Sequence, residues 1–416
     1  MISYEHALHI VLESIHSLGT TLCPLEKSLG RIVADDIRAT VHLPETDRSG
    51  VDGYALRSVD ALHASADGPV RLRIVGEVVS AMDNSPPPIT AGEATAIMTG
   101  GAVPPGADTI VKREDVESDG HTITLRAAVP PGRYISEKGK DIVKGALIAK
   151  KGTVIEPVTY SVLASLRMTT VQVMERPAAS ILAVGSELVD LSHKENGRKI
   201  VASNLFVLSA LVKTMGIKVG LARVTKDDRA SLETDLKEAL ESDLLITAGG
   251  TMHGRSDLTR FAMEEAGIDL HFSGISVVPG KGTLFGLFKG KPVFALPGTP
   301  SAVFTVFHTL IRPCLRKLMG QEQTGPATIT AVLEEDLQKR PGLEHFVMGQ
   351  LAIHEGGYKV HPLTRPEHPV FSAMRLTNGF IVVPADQDHV KKGVTVSVLL
   401  LDPLPLTESL TPLVGK

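Results

Sequence analysis

Between residues 177 and 320 the spacing of apolar residues changes repeatedly, and this alternation constrains the fold more than any other feature. Continuous apolar runs such as AASILAVG and LLITAGG are typical of buried strands. Between them, apolar residues recur every three or four positions, as they do along one face of a helix. The predicted order is strand 178–185, helix 203–215, strand 218–224, helix 229–241, strand 244–250, helix 257–266, strand 291–298 and helix 300–319. This order predicts a parallel sheet with helices on both faces, and Ser203 is predicted to cap the first helix.

The rest of the chain has other patterns. Residues 5–38 are predicted to be helical, residues 45–141 contain short β-like runs between Pro and Gly turns, and residues 142–176 are mixed, with a helix beginning near Pro157. After Gly320 about five strands without helices predict a small β-barrel or sandwich. These patterns predict four domains, namely a discontinuous domain (1–44 and 142–176), an inserted β-rich domain (45–141), an α/β domain (177–322) and a C-terminal β-barrel domain (323–416).

Composition excludes several classes of protein. The 43 basic and 47 acidic residues give a net charge of −4, and no stretch concentrates Lys and Arg, so a nucleic-acid partner is not expected. No segment reaches the roughly 20 apolar residues that span a bilayer, and the N-terminus does not resemble a leader peptide. With only Cys23 and Cys314, the chain fits a reducing compartment, and the expected location is the cytoplasm.

Three glycine-bearing segments are predicted to leave strands at the carboxyl edge of the sheet, where open α/β sheets bind ligands. The first contains Gly185, Ser186 and Glu187, and its Glu could ligate a cation. In the second, Gly249 and Gly250 expose backbone N–H groups, and Asp257 could cap the next helix or hold a magnesium ion. The third has Gly298, then Thr299 as N-cap and Pro300 as first helical residue, which predicts an anion site at the helix N-terminus.

Further candidates lie outside these loops. Lys281 stands between two glycines, where it could serve as a counter-charge for an anion or simply as a surface lysine. In the β-rich insert, Asp52 and Thr99 lie in glycine-rich segments that could equally be ordinary turns. No Walker loop and no dinucleotide-binding fingerprint occurs in the sequence.

Taken together, these segments resemble the molybdopterin molybdenumtransferase family, and the matches cover nearly the whole chain in the family's order. They are LPETDRSGVDGYAL, GEATAIMTGGAVPPGADTIVKRED, GKDIVKGALIAKKGT, AVGSEL, SNLFVLSALVKTMG, LLITAGGTMHGRSD, VVPGKG and ALPGTPSA. The resemblance implies an enzyme that inserts molybdate into adenylylated molybdopterin and releases AMP. It also implies that Mg²⁺ is held by Glu187 and Asp257.

The resemblance carries further expectations about assembly and site. It implies an elongated homodimer in which the insert of one subunit faces the α/β domain of the other. A molybdopterin adenylyltransferase and downstream molybdoenzyme maturation proteins are possible partners. The positions matching polar residues in or near the family's active cleft are Asp52, Thr99, Asp141, Glu187, Asp257 and Lys281.

Four positions depart from the family pattern. Arg255 stands where an acidic residue is common in the family, and Val278 stands where a Lys usually precedes Pro-Gly. Thr299 replaces the usual Asn of the Leu-Pro-Gly-Asn-Pro motif. Met348 occupies the place of an Arg that often follows a Phe-Leu or Phe-Val pair. These departures leave open a non-catalytic molybdopterin-binding or scaffold paralog, and the sequence does not distinguish molybdate from tungstate. Adenylyl transfer to molybdopterin is a third alternative, but an adenylyltransferase needs neither the insert nor the barrel.

Overall fold

The computed structural model describes residues 1–79, 86–191, 199–250, 256–363 and 369–401, and for Ser256 and Asp257 it describes only the backbone. Within these ranges the buried apolar residues form six clusters. The largest joins the N-terminal helix, the α/β region and the barrel, with Ala7, Ile181 and Phe380 among its members. None of the helices in the described ranges has the length and apolarity that a bilayer crossing requires.

The α/β region contains a six-stranded sheet. Its order is Lys218–Thr225, Ala178–Val184, Leu244–Ala248, Lys291–Leu296, Leu284–Phe288 and Asp269–Ser273. The first four strands are parallel, as predicted, and the last two, which the apolar pattern did not reveal, are antiparallel. Alternate residues of one strand face different cores, with Ile181 on one side and Leu182 on the other. The sheet is therefore covered on both faces by helices, in agreement with the prediction.

The helices of this region are Ser203–Thr214, Arg229–Ala239, Ser256–Glu265 and Pro300–Val306, the last continuing through a π-helical turn, Phe307–Ile311, into Arg312–Leu318. The prediction that Ser203 caps the first helix is wrong. Ala202 occupies the N-cap position, and Ser203 is already helical. The backbone decides the boundary, because the Ala202 N–H donates to the Val189 carbonyl at 2.9 Å and thereby fixes the chain entering the helix.

The prediction of helix through residues 5–38 is correct only for its beginning. A helix spans Tyr4–Glu13, capped by Ser3, and the chain then forms strand Thr20–Pro24, antiparallel to Thr170–Met174, and strand Ile37–Arg38, paired with Leu147–Ala149. Pairing with segments more than 100 residues away overrides the local helical spacing. A helix begins at Pro157, as predicted, and ends at Ser165.

The two pieces of the predicted discontinuous domain share one core. This core contains Cys23, Val33 and Ile37 from the first piece and Leu163 and Val171 from the second. The chain passes into and out of that segment at Leu43 and Ile142, which form an isolated antiparallel bridge.

The segment between these crossings forms its own six-stranded sheet. The order is Thr109–Lys112, Gly53–Leu56, Glu93–Ile97, Val70–Val78, Thr122–Leu125 and Glu117–Ser118. Its cores draw only on residues of this segment, including Leu56, Leu72, Ile97 and Ile123. We refer to residues 45–141 as the insert.

The C-terminal region is a closed β-barrel sheet. The strand order around the barrel is Glu344–His354, Gly357–Pro362, Thr328–Leu333, Thr395–Leu400 and Gly379–Val383. The last strand pairs with the first and so closes the barrel. The expectation that this region lacks helices is wrong, because Val370–Leu376 is helical and buries Ala373 against the main core. That helix is too short for its spacing to stand out in the sequence. Strand Val277–Val278 of the α/β region adds in parallel to Glu344–His354 and joins the two regions.

Short elements complete the described structure. The paired strands are Arg48–Ser49 with Ile135–Ser136, Leu188–Val189 with Ile200–Val201, and Leu337–Gln338 with His389–Val390, and the 3₁₀ turns are Leu25–Lys27, Ser58–Ala61 and Arg113–Asp115.

Candidate functional site

The three glycine loops meet at the carboxyl edge of the parallel strands. Gly249 lies against the end of the neighbouring strand, since a Cβ at this position would stand 2.1 Å from the Val184 carbonyl oxygen. On its other side, a Cβ at Gly298 would stand 3.3 Å from the Gly249 Cα. The prediction that Gly249 exposes its backbone N–H is wrong, because Gly249 is buried and its N–H donates to the Leu296 carbonyl. Gly249 also has a φ of 104°, which L side chains rarely adopt. Only glycine fits this junction.

Gly250 continues the junction toward the next helix. Its φ is 71°, and a Cβ there would stand 2.3 Å from the Thr259 hydroxyl oxygen. That hydroxyl donates to the Gly250 carbonyl at 3.2 Å, so helix Ser256–Glu265 helps to hold Gly250 in place. The helix begins at Ser256, so Asp257 is its second residue, and the alternative that Asp257 caps the helix is wrong. The side chain of Asp257 and all of Arg255 lie outside the described residues.

The loop after strand Ala178–Val184 presents two exposed polar side chains. A tight turn in which the Leu188 N–H donates to the Gly185 carbonyl exposes Ser186 and Glu187. The Glu187 carboxylate folds back over the turn, since a Cβ at Gly185 would stand 2.8 Å from Oε1. Lys199 Nζ donates to the Ser186 carbonyl at 2.9 Å. Glu187 is thus accessible to a ligand approaching the glycine junction.

The third loop leads into the helix that begins at Pro300. Thr299 is the N-cap residue, as predicted, but its side chain makes no capping hydrogen bond. Gly298 and Thr299 are both exposed. The backbone of the loop is held from outside, because Asn204 Nδ2 donates to the Gly298 carbonyl at 2.7 Å.

Lys281 lies in a loop that packs on the same helix. A Cβ at Gly280 would stand 2.7 Å from Val306 Cγ2, and the Thr283 hydroxyl donates to the Gly280 carbonyl at 2.7 Å. The backbone of Lys281 is fixed by the Ile275 N–H, which donates to its carbonyl, while its side chain is exposed. Lys281 therefore combines a fixed main chain with an exposed ammonium group that has no partner in the part of the chain that the structure describes.

Asp52 and Thr99 form a pair on the surface of the insert. The Thr99 N–H and hydroxyl both donate to Asp52 Oδ1, at 2.6 and 2.7 Å. These two hydrogen bonds, together with the positive charge of Arg113, lower the pKa of Asp52 below its usual range. The structure thus joins two residues that the sequence placed 47 positions apart, in a sheet separate from the glycine junction. Asp141 is exposed at the chain crossing, where its N–H donates to the Leu43 carbonyl.

Two residues that the sequence did not single out belong to the glycine junction. Asn204 lies in the segment SNLFVLSALVKTMG, and a polar residue at the start of a helix beside the sheet edge was the available signal. Asp227 follows strand Lys218–Thr225, and its N–H donates to the Ser186 hydroxyl at 3.3 Å. Its Oδ1 is buried and has no hydrogen-bond partner among the described residues. The adjacent Asp228 caps the next helix, so of the two acids Asp227 is the one left for a ligand.

The oxygen atoms at this edge suit a magnesium ion that takes only one or two of its ligands from the protein. The described residues contain no group of three or more His, Cys, Asp and Glu side chains arranged around one point. They do provide the accessible Glu187 carboxylate and the unpartnered Asp227 oxygen. Mg²⁺ is usually bound by one or two carboxylates plus substrate phosphates. The donor set therefore suits an ion brought to the site with a phosphorylated ligand.

Three family models match the chain in succession. The MoeA N-terminal region (domain I and II) matches residues 2–166, the probable molybdopterin binding domain matches residues 180–317, and the MoeA C-terminal region (domain IV) matches residues 330–401. The three matches follow the order of the discontinuous region with its insert, the α/β region and the barrel.

Curated proteins and solved structures give the same assignment. The chain is 31% identical over 402 residues to the molybdopterin molybdenumtransferase of Staphylococcus aureus (strain MSSA476), with 96% of each chain covered. It is 30% identical over 410 residues to that of Staphylococcus epidermidis (strain ATCC 12228 / FDA PCI 1200), with 98% of each covered. The crystal structure of a molybdopterin biosynthesis MoeA protein from Pyrococcus horikoshii superposes with a TM-score of 0.85 at 31% identity, covering 96% of this chain and 99% of the other.

Proposed function

Because the chain belongs to the molybdopterin molybdenumtransferase family, we propose that it is a transferase of molybdenum-cofactor biosynthesis that inserts molybdate into adenylylated molybdopterin and releases AMP. The observation that carries this proposal is the junction at Gly249, whose backbone lies directly against the Val184 carbonyl on one side and against Gly298 on the other. The Gly249 N–H is itself bonded to the Leu296 carbonyl, so the N–H groups that we propose for an anionic ligand are those at the uncapped start of the adjacent helix Pro300–Val306. The junction is therefore suited to a diphosphate.

Binding has to overcome repulsion between two anionic substrates. The free N–H groups of the helix that starts at Pro300 and the ammonium group of Lys281 provide positive potential on one side of the junction. Glu187 and Asp227, with Asp257 as the sequence predicts, would hold Mg²⁺, and the bound ion would supply positive charge to the diphosphate. Positioning and electrostatic stabilisation account for the catalysis, and no protein nucleophile is required.

We propose that the active unit is a homodimer, in which the Asp52–Thr99 pair of one subunit faces the glycine junction of the other. Two features support this arrangement: the pair is exposed, and the insert has a core of its own. The lowered pKa of Asp52 keeps its carboxylate charged, so that it can accept a hydrogen bond from substrate. Each cleft would then use residues from two chains.

We further propose that the protein works in the cytoplasm and receives its substrate from a molybdopterin adenylyltransferase. Cys23 and Cys314 are both free and buried, which agrees with a reducing compartment. An adenylylated substrate has to be supplied by an enzyme that forms a phosphoanhydride bond.

The test is to incubate the purified protein with adenylylated molybdopterin, Mg²⁺ and molybdate and to measure AMP by chromatography. We expect AMP release that requires both added ions and that is lost in Asp257→Ala. Asp386→Ala, which removes an exposed carboxylate from the barrel, serves as the matched control and keeps wild-type turnover. Tight binding of the adenylylated pterin without AMP release would contradict the transferase proposal and favour a scaffold. Repeating the assay with tungstate determines which oxyanion is preferred.

A further inference from the structure

Two arginines come together where the discontinuous domain joins the α/β region. Arg31 follows a turn in the first piece of that domain, and Arg176 lies in the link from that domain to the first strand of the α/β region. Each side chain donates to the backbone beside the other. Arg31 Nη2 donates to the Met174 carbonyl at 2.8 Å, and Arg176 Nη2 donates to the Gly30 carbonyl at 2.9 Å. Main-chain oxygens therefore hold both guanidinium groups in place.

The α/β region contributes a third segment to this place. Gly216 follows helix Ser203–Thr214, and a Cβ at this position would stand 2.8 Å from Arg176 Cζ. The φ of Gly216 is 72°, which also favours glycine. The guanidinium group of Arg176 therefore packs against bare backbone. Arg176 is exposed and Arg31 is partly buried, so the pair lies at the surface of the joint.

The pair carries two positive charges that no carboxylate of the described residues balances. Neither guanidinium group forms an ion pair with a described Asp or Glu. The printed partners of the pair are carbonyl oxygens and the Cys23 thiol, which Arg31 Nη1 approaches at 3.9 Å, and these carry only partial charges. Burial, and then the positive charge of Arg31, lower the pKa of Arg176 from its usual value. Both groups stay protonated in a protein, so they repel each other.

Most of the hydrogen-bond donors of the pair remain unused. A guanidinium group has five N–H donors in a planar fork that matches the oxygen atoms of phosphate. Within the described residues Arg176 uses one of them and Arg31 uses two, and Arg31 Nε is buried without a partner. An anion between the two groups would relieve their repulsion and accept charge-assisted hydrogen bonds from the unused donors.

We propose that Arg31 and Arg176 form a binding site for a tetrahedral dianion, the chemistry that phosphate and molybdate share. The site is separate from the proposed transfer reaction. The pair lies before the amino end of strand Ala178–Val184, whereas the glycine junction lies at its carboxyl end, and the strand spans about 20 Å. A bound dianion connects the turn at Gly30 to the link that leads into the α/β region, so it stabilises the joint.

Equilibrium dialysis of the full-length protein against radiolabelled inorganic phosphate, without Mg²⁺ or pterin, tests the site. We expect saturable binding that weakens as ionic strength rises, and Arg176→Gln should weaken it at least about tenfold, which corresponds to about 1.4 kcal/mol. Arg38→Gln is the matched control. Arg38 is exposed in the same domain and also donates to a carbonyl, that of Gly145 at 3.1 Å, but it is not part of the pair. Its variant should keep the wild-type affinity. Competition by unlabelled molybdate determines which dianion is preferred.

Thermal unfolding gives a second measurement, because a ligand that binds only the folded state raises Tm. Phosphate should raise the Tm of the wild type and of Arg38→Gln more than that of Arg176→Gln. Arg176→Lys, which keeps the charge but loses the planar fork, covers the case in which Arg176→Gln does not fold, and it should bind phosphate more weakly than the wild type.

Three results would overturn the proposal. They are no saturable phosphate binding by the wild type, wild-type affinity in the folded Arg176 variant, and an equal loss of affinity in Arg38→Gln. Phosphate that binds only at the glycine junction gives the second of these results. AMP release by the wild type is measured separately, so that failure of this inference is distinguished from failure of the proposed function.

Discussion

Asp227 and Asp228 are adjacent carboxylates with different environments. Asp228 accepts from the Ser231 N–H at 2.9 Å and so caps helix Arg229–Ala239. Its pKa is lowered chiefly by hydrogen bonds from Ser231. Asp227 instead keeps a buried oxygen without a partner among the described residues, beside the loop that carries Glu187. At the scale of single residues, the structure thus separates a stabilising acid from one left available for binding.

Substituting Asp227 and Asp228 one at a time gives a matched pair of variants. We expect Asp227→Asn to reduce AMP release by about 10–100-fold, the usual effect of removing a group that supports a metal site, with no loss of thermal stability. Asp228→Ala should do the reverse and lower Tm measurably while turnover is retained. Turnover assays and thermal unfolding of both variants check this. Equal losses of turnover in the two proteins would contradict the assignment.

The Asp52–Thr99 pair makes a prediction about pH. Its lowered pKa depends on the two Thr99 donors, and Thr99→Val removes the hydroxyl but keeps the backbone N–H. We therefore expect the pKa of Asp52 to rise part of the way to its ordinary value, so that the carboxylate takes up a proton at higher pH than in the wild type. Carbon-13 NMR titration of the Asp carboxyl groups measures the change. Thr90→Val, which disturbs the similar Thr90–Glu93 pair, is the control and should leave Asp52 unchanged.

Among the elements, the helix from Pro300 to Leu318 is unusual because a π-helical turn interrupts it. His308 lies in that turn, is 4% exposed and packs against Phe304 and Phe307 and against Phe380 of the barrel. Neither of its ring nitrogens has a hydrogen-bond partner among the described residues. Burial, followed by the positive charges of Arg312 and Arg316, holds the pKa of His308 well below its usual range.

This buried imidazole makes stability depend on pH. The folded state keeps His308 neutral, whereas the unfolded chain takes up a proton as the pH falls through about 6.5. The contribution of the neutral imidazole to the free energy of unfolding is fully present above that pH and is lost as the pH falls below it. The free energy of unfolding then falls by at most about 1.4 kcal/mol per pH unit. We expect His308→Leu to lose less stability than the wild type between pH 7 and pH 5, as measured by urea unfolding. His9→Leu, at an exposed position, should follow the wild type, and a parallel course for His308→Leu would be inconsistent with a buried neutral imidazole.

The elements that could be predicted from sequence are those whose partners are close in the chain. The parallel strands and their covering helices follow from local spacing, and the start of the helix at Thr299–Pro300 follows from a proline and its preceding cap residue. Strand Thr20–Pro24 could not be predicted, because it is formed by pairing with Thr170–Met174. Asp227 could not be predicted as a site residue either, because it is left for a ligand only when Asp228 caps the next helix.

On the scale of the whole molecule, the proposed site joins residues of two different folding units. Asp52 and Thr99 belong to the insert, whereas Glu187, Asp227 and the glycine junction belong to the α/β region. Among the described residues each unit has a core cluster drawn only from itself. Activity that needs both units in one cleft can therefore be divided between two subunits.

Complementation tests this division. Co-expression of Asp52→Ala and Asp257→Ala chains with different tags, followed by purification of mixed dimers, should restore about half of the wild-type activity, because one of the two symmetric clefts is intact. A mixed dimer of Asp257→Ala and Asp227→Asn chains is the control and should keep no more than the residual activity of the Asp227→Asn cleft, since both substitutions lie in the same unit. If the first mixed dimer is also inactive, each cleft is built within a single chain.

The bridge between Leu43 and Ile142 has a consequence for how such a molecule could arise. The Leu43 N–H donates to the Ile142 carbonyl at 2.8 Å, and the Ile142 N–H donates back to the Leu43 carbonyl at 3.0 Å. The chain thus leaves its host and returns to it at one point, which is the condition under which insertion of foreign sequence is tolerated. Residues 45–141 therefore meet the geometric condition for insertion into, or exchange within, a host chain as one unit. The insert and the rest of the chain can accordingly diverge at different rates, as long as the insert keeps the Asp52–Thr99 pair.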